Sequence, residues 1–374
     1  MVIIVIIIGA LVMNYALVKI YGHLWGKNLD AQVEFQKEPS LEGRDAMLTE
    51  TIYNRKWLFL PVLQVGFQMH RNLWFADGEN TSVSDQCYKR DIFSVGGYQK
   101  ITRTIPFHCS KRGYYELSQV ELVTRSPLMN KKFYKTLESP DHFYVYPRMV
   151  DDTKLEIPFQ KIMGSVLSQK NLYEDPFEFR GIREYQPTDP MHKINWKVSA
   201  RTDQWMVNLY DSTSAQEVMI LLDVEDETIW KFDEIHEEGI RLAAALASRL
   251  LQQGVPVGIR TNGRDLKSDE CFSLNGGTGP QQVRSLYEGL TRLDLTKKAE
   301  HMEVILDRLR EEKENGNRTY VMISKNQRES CYGGFDSLLQ DGGTGAWIAT
   351  LYDDMEWKLP ENRKVTMIRW EVAK

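Results

Sequence analysis

The chain opens on Met1-Val-Ile-Ile-Val-Ile-Ile-Ile-Gly-Ala-Leu-Val-Met13, continues through Asn14 and Tyr15-Ala-Leu-Val18, and meets its first charge only at Lys19. That run is close to the roughly 20 apolar residues needed to cross a bilayer core. The competing reading is a buried Val/Ile strand. A cleaved signal peptide would want a basic start and a small-x-small exit, and neither is present. Lys19 and Lys27 follow the run, and Tyr15, Tyr21 and Trp25 are placed to act as interfacial anchors. By the bias of positive charge toward the cytoplasmic side, the rest of the chain is expected to face the cytoplasm. The expectation is a single-pass cell-membrane protein with a transmembrane helix over 1–22 and cytoplasmic soluble domains.

The 374 residues suit two domains better than one, and a 42% hydrophobic content is enough for ordinary cores. A net charge of −5 argues against a partner bound through phosphates, so nucleic acid is not expected. Cys87, Cys109, Cys271 and Cys331 are widely spaced with no C-x-x-C pair, which reads as reduced thiols rather than a disulfide or zinc framework.

Two patterns divide the soluble part. Over 29–150 short alternating runs dominate, such as Leu63, Val65, Phe67 and Met69, separated by turn signals at Asp77-Gly78, Gly96-Gly97, Arg112-Gly113 and Ser126-Pro127. These predict an all-β, sandwich-like domain. Residues 151–214 read as a connector, irregular and polar in its first part. Over 215–374 the period changes: a strand at Glu217–Leu222 ends in Asp223, and a helix follows with Leu242, Leu246 and Leu250 four apart and Gly254 as its stop. Val255–Arg260 reads as a strand with Asn262-Gly263 as its turn. Helices at Pro280–Leu293 and Lys298–Lys313 then alternate with strands at Tyr320–Ser324, Trp347–Leu351 and Val365–Val372. Strand–helix alternation predicts an α/β doubly wound domain, in which ligands sit beyond the carboxyl ends of strands, here near Asp223 and Ser324.

The connector holds the most distinctive stretch, Gly181-Ile-Arg183-Glu184-Tyr185-Gln-Pro-Thr-Asp189-Pro-Met-His-Lys-Ile194-Asn-Trp196-Lys-Val198-Ser199-Ala200-Arg201. Asp189 with Pro190 suits a helix start, placing Met191, Ile194 and Val198 on one face. Two readings stand side by side. One is an ion network that fastens the connector, with Trp196 as an apolar plug. The other is a docking surface anchored by Trp and Arg.

At these residues the chain resembles the bacterial "domain of unknown function 58" family, whose phrase G-x-R-E-Y-x-x-G-D-x-x-R-x-I-x-W-x-x-S-A-R is matched by Gly181, Arg183, Glu184, Tyr185, Asp189, Ile194, Trp196, Ser199, Ala200 and Arg201. Lys111-Arg-Gly-Tyr-Tyr115, Ser126-Pro-Leu128 and Val145-Tyr-Pro147 add to the resemblance. Thr188 stands where the family usually has Gly, and Lys193 where it often has Arg. The family often has two N-terminal membrane helices, against the one found here. The resemblance implies a membrane-anchored protein with a β domain and a von Willebrand factor A-like domain. It also implies association with a MoxR-type AAA+ ATPase in the maturation or assembly of other proteins.

Domains of that type often hold Mg²⁺ on an Asp-x-Ser-x-Ser motif at the first strand's end. Here the place is taken by Asp223-Val-Glu225-Asp-Glu227, with carboxylates for both hydroxyls. Asp223, Glu225 and Glu227 are therefore the candidate metal ligands, against a solvated acidic strand end paired with Lys325. No cofactor is otherwise expected. Gly276-Gly-Thr-Gly279 and Gly342-Gly-Thr-Gly345 lack the phosphate-loop pattern and read as turns. No nucleophile elbow or H-E-x-x-H motif occurs. Three functions are carried forward: a non-enzymatic adaptor, a metal-dependent adhesion-type binder, and a hydrolase with an unrecognised site.

Overall fold

The computed structural model describes the chain apart from residues 1, 76–80, 84–85, 173–178, 188, 190, 192–193, 211–216, 229, 313–317, 340–343, 361–364 and 374, and the side chains of residues 2, 82–83, 168–172, 179–180 and 209–210. The chain divides into two units, Met1–Arg148 and Met149–Lys374. The Asp77-Gly78 turn and the Thr188, Pro190 and Lys193 positions lie outside the described residues.

In the first unit the apolar run is helix α1 (Val2–Leu24), long and apolar enough to cross a membrane by length and composition. Its C-terminal half carries a stripe at helical spacing, Asn14, Val18, Tyr21 and Gly22, continued by Trp25 just past its end, which is half-buried or buried against the β strands. Tyr21 and Trp25 are each 4% exposed and both rings pack on Phe133. The expectation that they stand at the lipid interface is thereby corrected. Burying two aromatic rings against a sheet outweighs leaving them at a surface, and of the three only Tyr15 is exposed. Gly22 is what allows the close approach: a Cβ there would lie 2.5 Å from the Phe133 ring.

The strands that follow are β1 (Leu29–Phe35), β2 (Ser40–Leu41), β3 (Asp45–Asn54), β4 (Leu60–His70), β5 (Leu73–Trp74), β6 (Thr81–Val83), β7 (Gln86–Val95), β8 (Lys100–Cys109), β9 (Gly113–Arg125) and β10 (Lys132–Tyr146). They form two sheets, ordered β1-β3-β8-β5 and β2-β10-β9-β4-β7-β6. Alternation of buried and open positions in β1 and β3 of the first sheet and in β7 of the second gives each sheet one apolar face. The two faces share one core, in which Phe35, Phe107 and Phe143 meet ring to ring. A sandwich follows from the alternation.

The second unit begins with α2 (Asp152–Leu172), where the sequence read as an irregular connector. Leu155, Phe159, Ile162 and Val166 are buried at helical spacing, so tertiary burial overrides Pro158, which sits inside the helix. Next come β11 (Phe179–Glu184), α3 (Trp196–Thr202) and β12 (Met206–Tyr210), the two strands pairing antiparallel. The rest runs β13 (Glu217–Leu222), α4 (Asp233–Gln252), β14 (Val257–Arg264), β15 (Cys271–Gly277), α5 (Gly279–Thr291), α6 (Met302–Glu311), β16 (Arg318–Ser324), α7 (Glu329–Leu338), β17 (Thr344–Tyr352) and β18 (Val365–Val372).

These strands form one six-stranded sheet, β15-β14-β13-β16-β17-β18, parallel except for edge strand β15. β13 is buried along almost its whole length, as a strand covered on both faces must be. Met219, Leu221, Met322 and Trp347 pack with α6 and α7 on one face. Gly239 of α4 meets Leu222 and Ile323 on the other. Gly254 stops α4 with φ +75 as its position predicts. Asn262-Gly263 is not a turn. Both lie within β14, and the turn comes later, with Asp269 at φ 59 and the Asp265 amide bonded to the Glu270 carbonyl. Asn262 stays in the strand because its side chain is needed inside.

Candidate functional site

β13 and β16 are adjacent and their crossovers leave in opposite directions, so their carboxyl ends flank the switch point of the sheet. Asp223 follows β13 and Ser324 ends β16. Asp223 is 4% exposed and both of its carboxylate oxygens are hydrogen-bonded. Oδ1 accepts from Asn262 Nδ2 at 2.6 Å and from the Glu225 amide at 2.9 Å, and Oδ2 accepts from Ser324 Oγ at 2.7 Å. Burial pushes the Asp223 carboxyl up, against the pull of these donors. Asn262 also accepts from the Val224 amide, so one side chain orders the loop that leaves β13.

Of the neighbouring acids, Glu225 and Asp226 face cations, while Glu227 is exposed. Glu225, buried, accepts from His301 Nδ1 at 2.7 Å and from Arg328 Nη2 at 2.7 Å. The same Arg328 nitrogen reaches Glu303 at 3.2 Å, and Arg328 Nε lies 3.9 Å from Glu227. Burial alone would lower the Arg328 pKa, but Glu225 and Glu303 raise it. Asp226 takes His236 Nε2 at 2.9 Å and lies 3.4 Å from Lys325 Nζ. Burial would raise Asp226, yet His236 and Lys325 hold it below the usual carboxylate range.

The solvated acidic strand end is thus corrected to a part-buried ion network. The expected pairing with Lys325 falls on Asp226. Two clefts flank Arg328 and Glu227. One, of about 430 Å³, reaches His236, Lys231 and His301. The other, of about 650 Å³, reaches Trp230, Phe232 and Met355. Glu225, His301 and Glu303 offer ligand atoms within 4.8 Å of one another, so among the described residues the cluster with metal-ligand spacing includes Glu225 but neither Asp223 nor Glu227. His301 and Arg328 stand 76 and 103 residues from Glu225, and no local pattern flags them.

The Gly181–Arg201 stretch separates into inward and outward parts. Arg183 on β11 binds Asp189 through both guanidinium nitrogens at 2.6 Å, and Asp189 also accepts from the Gln186 amide. Asp189 therefore closes the loop after β11. The cap of α3 is Asn195, whose side chain accepts from the Val198 amide. Ser199 is buried and ties α3 to β12 by accepting from the Met206 amide. Tyr185 meets Trp205 edge to face at 5.4 Å. Gly181 pairs with Leu209, Glu184 and Arg201 are exposed, and so is Met191. Trp196 is 62% exposed, so it is not a plug; Ile194 fills that place, buried at 5%.

All four cysteines are free, and Cys87, Cys109 and Cys331 are buried. Burial pushes the Cys109 thiol up to about 12, far from a nucleophile's range.

A family model described as Protein of unknown function DUF58 matches residues 181–373. No curated protein matches the chain's sequence. Among solved structures, similarity is found to the CARDB domain of a Pyrococcus furiosus protein in complex with di-metal ions (14% identity, 33% of this chain and 90% of that one, TM-score 0.20). Similarity is also found to an aerotolerance-related membrane protein from Bacteroides fragilis (16%, 39% and 77%, TM-score 0.27). A third is a non-cellulosomal cohesin from Archaeoglobus fulgidus (11%, 34% and 97%, TM-score 0.20).

Proposed function

The chain belongs to the family described as Protein of unknown function DUF58, and from that premise we propose a membrane-anchored, cytosol-facing adaptor that docks a partner protein rather than turning over a substrate. The observation that carries this reading is Trp196. It stands 62% exposed on α3, with Arg201 exposed on the same short helix and Trp205 53% exposed beside it. Trp and Arg dominate binding hot spots, and leaving two indoles in water is costly unless a partner covers them. The inward residues Arg183, Asp189 and Ser199 hold that surface in shape. By family resemblance the partner is a MoxR-type AAA+ ATPase, and the α/β unit is a von Willebrand factor A-like domain. Support for the latter comes from the central first strand β13, the antiparallel edge β15 and Asp223 at the switch point.

The test is recovery of an ATPase from detergent-solubilised membranes at native expression, with ATP present. The native chain retains it. Trp196→Ala and Arg201→Ala weaken retention at least ~30-fold, the effect of a hot-spot loss of about 2 kcal/mol, while melting as the native chain does. Recovery of no ATPase by the native chain counts against the reading.

A second reading is metal-dependent adhesion at the strand end, favoured by the Glu225, His301 and Glu303 cluster. In it a bound cation would grip a partner's carboxylate. Calorimetric titration with Mg²⁺, Mn²⁺ and Ca²⁺ separates the two. The adaptor reading expects nothing tighter than about millimolar, because Arg328 already neutralises Glu225 and Glu303. A micromolar site lost in Glu225→Ala would establish the second reading.

A further inference from the structure

The strands of the first unit converge at one end on α1. The Leu29 end of β1 pairs with the Asn54 end of β3, and the Arg55 amide bonds to the Asn28 carbonyl just past the helix. The turn between β7 and β8 packs on the same loop, with the Tyr98 amide bonded to the Lys56 carbonyl. The β9–β10 hairpin tip runs alongside the helix itself: Asn130 Nδ2 donates to Asn14 Oδ1 at 3.3 Å. Asn14 lies five residues before Lys19, the first charge, which is about 7 Å along the helix toward its apolar end. The hairpin tip therefore stands on the lipid side of the first charged residue. At that level Tyr15, Leu17 and Ile20 of α1 remain exposed, so the apolar surface of the helix continues beside the tip.

What this end displays matches a bilayer. Trp57, Phe59, Tyr98, Leu128 and Met129 are 70%, 53%, 71%, 60% and 49% exposed. Arg55, Lys100, Arg125, Lys131 and Lys132 are exposed among them. The segments 19–28, 53–59, 96–100 and 125–132 contain no Asp or Glu. Aromatic and basic residues without acids are the composition of a membrane–water interface on the side of anionic lipid. The Asn14–Asn130 bond also gives Asn14, the amide inside the apolar run, a donor for its Oδ1 at a depth where water is scarce.

We propose that this end of the β unit is a membrane-contact surface. The hairpin tip Pro127–Asn130 enters the anionic phospholipid bilayer beside α1, Leu128 and Met129 reach acyl chains, and Arg125, Lys131 and Lys132 hold headgroups. The inference rests on α1 crossing the membrane, and the experiment separates the two. The full chain carrying Cys271→Ser is given one nitroxide label at a time, at Leu128→Cys, Trp57→Cys or Lys111→Cys. Lys111 lies just before β9, some 40 Å from the tip along the strand. The labelled chains are reconstituted in vesicles of phosphatidylcholine and phosphatidylglycerol at about 3:1, and collision rates with oxygen and with a water-soluble nickel complex are read by electron paramagnetic resonance.

The expected result is a label at 128 at least ~5-fold less open to nickel than the label at 111, with the label at 57 between them. Nickel access at 128 equal to that at 111, in a chain that alkaline carbonate leaves in the vesicles, overturns the proposal and leaves the anchor standing. Release of the chain by carbonate overturns both. Immersion of 128 that is unchanged in pure phosphatidylcholine, or in Arg125→Ser/Lys131→Ser/Lys132→Ser, overturns the headgroup part.

Discussion

Glu50 shows what a single buried charge does to this molecule. It is 1% exposed on β3, with both carboxylate oxygens buried and without a hydrogen-bond partner. Burial first, then the nearby Asp91, pushes its carboxyl up to about 7, against the smaller pull of Arg103 and Lys89. The folded state therefore holds the proton more tightly than the unfolded chain. Stability is full below about pH 4.5 and is lost as the pH rises through about 7, by roughly 3 kcal/mol in all. Glu50→Gln should flatten that slope and stabilise the β unit at pH 8, as measured by denaturant unfolding in detergent across pH 4–8. At the strand-end network the corresponding residue is Arg328. Replacing it by Ala leaves Glu225 and Glu303 facing each other beside His301, and calorimetry should then find Mn²⁺ bound at least ~10-fold tighter than by the native chain.

Among the elements, α1 and the β9–β10 hairpin depend on Gly22. A side chain there meets the Phe133 ring, which Tyr21 and Trp25 also use. Gly22→Val should cost about 1–3 kcal/mol by overpacking, seen as a lower melting temperature of the β unit, although Val forms helix better than Gly. Elements of this kind differ in how legibly the sequence announces them. The apolar run, the alternation at Leu63–Met69 and the leucines of α4 all repeat with the period of the element they form. α2 carries a stripe as regular, Leu155, Phe159, Ile162 and Val166, but Pro158 and Gly164 interrupt it and only packing restores it. The strand-end site was half legible. Asp223 follows from its place after an apolar strand, whereas Arg328 and His301 arrive from distant loops whose local sequence says nothing about Glu225. Asn262 misled for a related reason: Asn-Gly is a turn signal, yet here the amide is spent on Asp223 inside a strand.

On the scale of the whole chain, α1 belongs to the β unit's core as well as forming the proposed membrane span. A chain shortened to begin at Val18 keeps Tyr21 and Trp25, and its β unit should unfold in urea close to the native midpoint. One that begins at Asn28 loses both rings and about 3–6 kcal/mol of buried apolar surface, and should unfold at markedly lower urea. Only four residues separate α1 from β1, and Trp25, the first of them, is in the core. The β unit is therefore mounted on α1 without a swivel. In the proposed membrane-anchored arrangement it would keep one height and one tilt above the lipid, and a partner sharing the membrane would have to find it only by sideways diffusion and rotation about a single axis.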